Sequence, residues 1–115
     1  HVGLIPDSLG TWMLPRLVGL ARATQLAMLG EKVGARQALE WGMIYAVVPG
    51  EGLAEAAEAL ARRLAAMPTR GLGLTKRGFN AGLGNGLDEQ LALEEQLQRE
   101  AGRTADYAEG VRAFV

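Results

Sequence analysis

In the run GLIPDSLGTW, residues 3–12, a single carboxylate, Asp7, stands beside Pro6 in an otherwise apolar stretch that leads into a helix. Two uses suit a carboxylate so placed. It can accept hydrogen bonds from the first N–H groups of the helix. It can also act as a base that removes a proton from one carbon and returns it to another. The local sequence leaves both open. Trp12, five residues on, can line an aryl-binding pocket or fill a core. Asp106 and Glu109, three residues apart in DYAEG, resemble an acid pair, although that spacing also serves capping and ion pairing. Arg16 reads as a structural ion-pair partner, and His1 as a frayed terminus rather than a ligand.

Composition limits the chemistry further. The 115 residues are 49% hydrophobic with a formal net charge of -1, which suits one globular unit or part of one. Acidic and basic residues alternate, so no footprint for nucleic acid is visible. Cysteine is absent and histidine occurs once, which excludes disulfides, thiolate metal sites and His-rich metal sites. No apolar run approaches the roughly 20 residues that span a bilayer, and no leader opens the chain. A soluble, cytoplasmic protein is expected. The chain starts on the strand-like HVGLIP without Met, and reads as the later portion of a longer protein.

Helical periodicity dominates the elements that must position these residues. Ser8 to Val18 reads as a helix disturbed at Pro15, whose ring and missing N–H interrupt the ladder, so a kink or two short helices are expected. Leu20 to Leu29 reads as an apolar helix closed by Gly30, and Ala35 to Trp41 as a shorter one closed by Gly42. MIYAVVP, residues 43–49, is β-branched and aromatic and stops at proline, so a strand or extended segment is expected. From Glu51 to Met67 the apolar positions Leu53, Ala56, Ala57, Leu60, Leu64 and Met67 recur at spacings of three and four, predicting one helix with one buried face. Leu87 to Ala101 carries Asp88 and Glu89 in its first turn and Arg99 near its last, matching the helix dipole, with Gly102 as terminator. Thr104 can cap a last helix running toward Val115. Between these lies RGLGLTKRGFNAGLGNG. Gly71, Gly73, Gly78 and Gly82 fall inside a helical pattern, each costing about 1 kcal/mol relative to alanine unless a helix end or backbone contact requires it.

The motifs GLIPDSLGTWMLPRLVG, GEKVGARQALEWGMIYAVVP, PTRGLGLTKRGFN and TADYAEGVRAFV, in that order, resemble the second half of an enoyl-CoA hydratase/isomerase (crotonase) superfamily protein. The resemblance covers essentially the whole chain. It implies a mainly α architecture with short β segments (α+β), the C-terminal helical portion of a ClpP/crotonase-like spiral fold. Residues 1–50 would end the crotonase core, with the Asp7 loop, short helices and one strand. Residues 51–115 would form a helical oligomerisation region.

The IPDSxGTW form is most similar to the phenylacetate-type isomerases of the family, which convert a ring-epoxidised phenylacetyl-CoA to its oxepin. Where hydratases of the family have glycine in a run resembling IPGAGG, those isomerases place an aspartate as the proton shuttle, and Asp7 matches that pattern. The resemblance further implies that Pro6, Leu9 and Trp12 contact the substrate and that Lys76 and Phe114 lie near the CoA moiety. For Lys76 a merely solvated position competes with that role, and for Phe114 core packing does. Leu9 departs from the family, standing where relatives have glycine. An acyl-CoA thioester is the implied substrate. CoA belongs to the substrate, and no metal or redox cofactor is expected. Self-association as a trimer or a dimer of trimers is implied, with no nucleic-acid or membrane partner. The two backbone donors that hold the thioester oxygen belong to the earlier half of the family fold, so these 115 residues alone are expected to be inactive. Two alternatives stand beside the isomerase: an enoyl-CoA hydratase or Δ3,Δ2-enoyl-CoA isomerase of fatty-acid oxidation, and a non-catalytic helical oligomerisation fragment.

Overall fold

A computed structural model describes residues 3–114; the expectations for His1 and Val115, and the start of the HVGLIP run, lie outside it. Among the described residues seven α-helices follow one another: α1 (Gly10–Val18), α2 (Leu20–Leu29), α3 (Ala35–Glu40), α4 (Leu53–Ala65), α5 (Thr69–Gly82), α6 (Leu87–Ala101) and α7 (Ala105–Phe114), with a 3₁₀ turn at Gly50–Gly52 before α4. The chain divides into two compact units, residues 1–53 and 54–115.

In the first unit α1 packs on α2. The break between them is Gly19, at φ 81 and ψ 157, a region essentially reserved for glycine. Its N–H still donates to the Pro15 carbonyl at 3.0 Å, closing α1 while the backbone reverses. Pro15 is accommodated inside α1, with no second helix formed. Helix α3 stops one residue earlier than expected, at Glu40, because the chain turns at Gly42 (φ 75). There the Gly42 N–H donates to Leu39 O at 3.0 Å and the Met43 N–H to Ala38 O at 2.9 Å, the paired bonds of a glycine-terminated helix end. Val18, Ala23 and Ala38 are the buried apolar side chains of this unit.

The strand expected over residues 43–49 is not formed, nor does the described part of the opening run form one. A strand exists by hydrogen bonding to a neighbour, and no described segment pairs with Met43–Pro49. Its β-branched side chains Val47 and Val48 stay partly exposed along an irregular path.

In the second unit α5 and α6 form an antiparallel pair around Leu74 and Leu97, its buried apolar residues. Gly78 is the close-approach point. A Cβ there would lie 3.4 Å from Leu97 Cδ1, and the Gly78 carbonyl accepts from Gln90 Nε2 of α6 at 3.2 Å. Asn85, in the connecting turn, donates to Gln90 Oε1 at 3.0 Å and fixes that amide. Glu100 pairs with both Arg70 and Arg77 of α5, tying the far end of the hairpin. Helix α6 has the predicted ends, and Glu89 reaches back to the Gly86 N–H at 3.2 Å. Thr104 caps α7, its Oγ1 accepting from the Tyr107 N–H at 3.2 Å. Helix α4 corrects the sequence reading. Its amphipathic pattern is present, but it buries no residue, and Leu53 and Leu64 are 62% and 43% exposed.

Candidate functional site

Asp7 sits on a tight turn that the sequence did not announce. Its carbonyl accepts from the Gly10 N–H at 2.7 Å, and the two residues between, Ser8 and Leu9, both have positive φ, 49 and 70. Turns of this mirror-image hand ordinarily take Asn-Gly or Gly-Gly. With Ser and Leu they are strained by about 1–2 kcal/mol per residue. Helix α1 therefore starts at Gly10 and not at Ser8, with left-handed Leu9 in the N-cap position. The Leu9 carbonyl then receives Trp12 N–H at 3.0 Å and Met13 N–H at 2.8 Å.

This geometry decides one of the two uses of Asp7. No side chain caps α1, so Asp7 is not the helix cap. Its carboxylate is exposed, in a loop where Pro6, Ser8 and Leu9 are exposed too, Leu9 by 68%. Gly10 keeps the loop closed against the helix, since a Cβ there would meet Pro6 Cβ at 3.1 Å. Position 9 holds a conformation that glycine, the residue the resemblance implies there, enters without strain.

Trp12 follows on the first turn of α1 and is 44% exposed, with its ring covered on one side. The covering group is Arg16, whose guanidinium carbon lies 3.4 Å from the ring centroid and whose Nη1 donates to the Trp12 carbonyl at 2.9 Å. Arg16 is thus a stacking partner and pairs with no carboxylate among the described residues, contrary to the ion pair expected. Sequence reasoning missed this contact, although the i,i+4 spacing of Trp and Arg on one helix was available to suggest it.

Asp7, Pro6, Leu9 and Trp12 are brought together by one turn and the first turn of α1. Lys76 and Phe114 belong to the second unit. Lys76 is exposed on α5. Phe114, at the end of α7, is 95% exposed, which removes packing within this unit as its role. It borders an apolar groove of about 470 Å³ with Pro68, Gly71, Tyr107, Gly110 and Val111. Asp106 is half-buried at the rim of that groove in the first turn of α7, a helix-dipole position, and Glu109 is exposed. Among the described residues no three His, Asp or Glu side chains cluster as metal ligands, and no helix is long and apolar enough to cross a membrane.

Comparison with known proteins fixes the class. The sequence model of the enoyl-CoA hydratase/isomerase family matches residues 1–115. The chain belongs to the enoyl-CoA hydratase/isomerase family. It is 58% identical over 114 residues to the 1,2-epoxyphenylacetyl-CoA isomerase of Escherichia coli K12, a match covering 99% of this chain and 44% of the relative. It is 46% identical over 115 residues to a Rhodobacter capsulatus protein named "Probable enoyl-CoA hydratase", covering 100% of this chain and 45% of that one. The crystal structure of an enoyl-CoA hydratase from Bacillus anthracis superposes with a TM-score of 0.91 at 34% identity, over 98% of this chain and 44% of that structure. The chain has the crotonase fold over its matched length, and it spans less than half the length of these relatives.

Proposed function

We propose that the protein carrying this chain is a CoA-thioester isomerase in which Asp7 moves a proton between carbons of the acyl group, with a ring-epoxidised phenylacetyl-CoA as substrate. The observation that carries it is the turn at Ser8 and Leu9. Two residues in positive φ hold an exposed carboxylate away from the helix start it would otherwise cap. Strain of this kind persists only where the surrounding structure enforces it, and it concentrates at functional sites. The 58% identity to an isomerase of that substrate supports the acyl group.

The chemistry balances without a further reactant. The thioester carbonyl acidifies the adjacent C–H. The ring C–C bond between the two oxygen-bearing carbons of the epoxide opens, its electrons completing the oxepin triene. The carboxylate takes the acidified proton, the bonding pair passes into a thioester enolate conjugated with that triene, and return of the proton to a ring carbon gives the isomer. No metal, redox cofactor or water enters the overall equation, and CoA arrives with the substrate. The backbone donors for the enolate oxygen would lie in sequence outside this chain, so the 115 residues by themselves would not turn over. Pro6, Leu9 and Trp12 would contact the acyl group, and Lys76 and Phe114 the CoA. Assembly would be a trimer or a dimer of trimers.

Hydration of a straight-chain enoyl-CoA is the second reading, favoured by the names of the R. capsulatus and B. anthracis relatives. The two are separated by assaying the full-length protein on epoxyphenylacetyl-CoA and on a 2-enoyl-CoA side by side. Isomerisation of the first without hydration of the second is expected. Hydration alone would replace the isomerase by the hydratase.

A further inference from the structure

We propose that Arg16 is a positioning residue for substrate selection: by stacking on Trp12 it holds the indole as a fixed wall beside Asp7 for an aromatic acyl group. The proposal rests on the assignment of Trp12 to the acyl pocket made above. Arg16 is fastened to the one residue twice. Its guanidinium carbon lies over the ring, 3.4 Å from the centroid, and its Nη1 donates to the Trp12 carbonyl at 2.9 Å. No carboxylate among the described residues competes for the charge, so the indole face is its electrostatic partner.

The Trp12 backbone is also held at the helix start. Its backbone N–H donates to the Leu9 carbonyl at 3.0 Å, so the backbone that carries the indole is continuous with the turn that presents Asp7. An indole free to change rotamer would lose entropy on meeting a ligand ring; one already stacked on a cation loses less, and meets the ligand with its edge or its uncovered face. An exposed cation–π contact of this type corresponds to about a two- to fivefold difference in a binding constant. The selectivity should therefore fall on aryl ligands and spare CoA recognition.

The experiment measures equilibrium binding of phenylacetyl-CoA and of acetyl-CoA, neither of which requires turnover, to the full-length protein by calorimetry. Arg16→Met and Arg16→Gln should each weaken phenylacetyl-CoA by about two- to fivefold with acetyl-CoA unchanged. Arg16→Gln can keep a hydrogen bond to the Trp12 carbonyl, so an equal loss in both variants assigns the effect to the cation. Arg16→Lys should restore part of the aryl preference, and in a Trp12→Leu background the Arg16 changes should have no further effect. Equal weakening of both ligands, or the same loss with Trp12 already removed, would show a merely structural arginine and overturn the proposal. If Arg16→Met does not fold, the Lys and Gln variants decide the matter alone. Full activity of Asp7→Asn would sink the proton-transfer reading while leaving this binding result intact.

Discussion

At the residue scale the turn that presents Asp7 is the most informative feature of the chain. Ser8 and Leu9 occupy a backbone region that costs β-carbon-bearing residues about 1–2 kcal/mol each. Leu9→Gly should therefore leave stability unchanged or raise it by up to about 1 kcal/mol, read by urea unfolding; a loss of that size would show the leucine side chain to be packed and the turn unstrained. Gly19 makes the opposite case. At φ 81 and ψ 157 it has open space where a Cβ would stand, with nothing within 4 Å, so Gly19→Ala meets no clash, only backbone strain. It should cost about 1–3 kcal/mol in the same measurement. Neither Ser8 nor Leu9 carries a sequence signal for positive φ, which is why the helix start was misplaced by two residues and why Asp7 could equally be read as a cap.

At the scale of elements, what is decided locally was legible. The limits of α2 and α6, the Thr104 cap and the glycine stop at Gly42 all follow from side chains or glycines within one turn of the event they control. Features that need a partner were not legible: residues 43–49 have strand composition but no pairing segment, and α4 has an apolar stripe with nothing described covering it. The glycines of α5 divide the same way. Gly78 lies against Leu97 across the α5–α6 contact, where a Cβ would stand 3.4 Å from Leu97 Cδ1 and a larger side chain would not fit, whereas Gly73 faces open space. Gly73→Ala should accordingly stabilise the second unit by about 1 kcal/mol, and Gly78→Leu should open the helix pair and destabilise it. Thermal unfolding of the two variants checks both; stabilisation by Gly78→Leu would mean the helices do not meet there.

At the scale of the whole molecule, exposure dominates. Leu4, Ile5, Leu20, Met28, Phe79 and Phe114 are each more than 70% exposed, large apolar side chains left in contact with solvent. Produced by itself, the 115-residue chain should bind a hydrophobic dye and self-associate in sedimentation, and a monodisperse monomer that ignores the dye would contradict the exposed faces described. Membership of the enoyl-CoA hydratase/isomerase family was legible in the order of four motifs; for the acyl group the sequence offers only the resemblance carried by the IPDSxGTW form, since a short apolar run around one carboxylate suits many acyl chains. Full-length protein with Asp7→Asn, shown by circular dichroism to be folded, should isomerise epoxyphenylacetyl-CoA about 10²- to 10⁴-fold more slowly than the parent while still binding phenylacetyl-CoA. Undiminished turnover by that variant would place the proton-transferring group elsewhere.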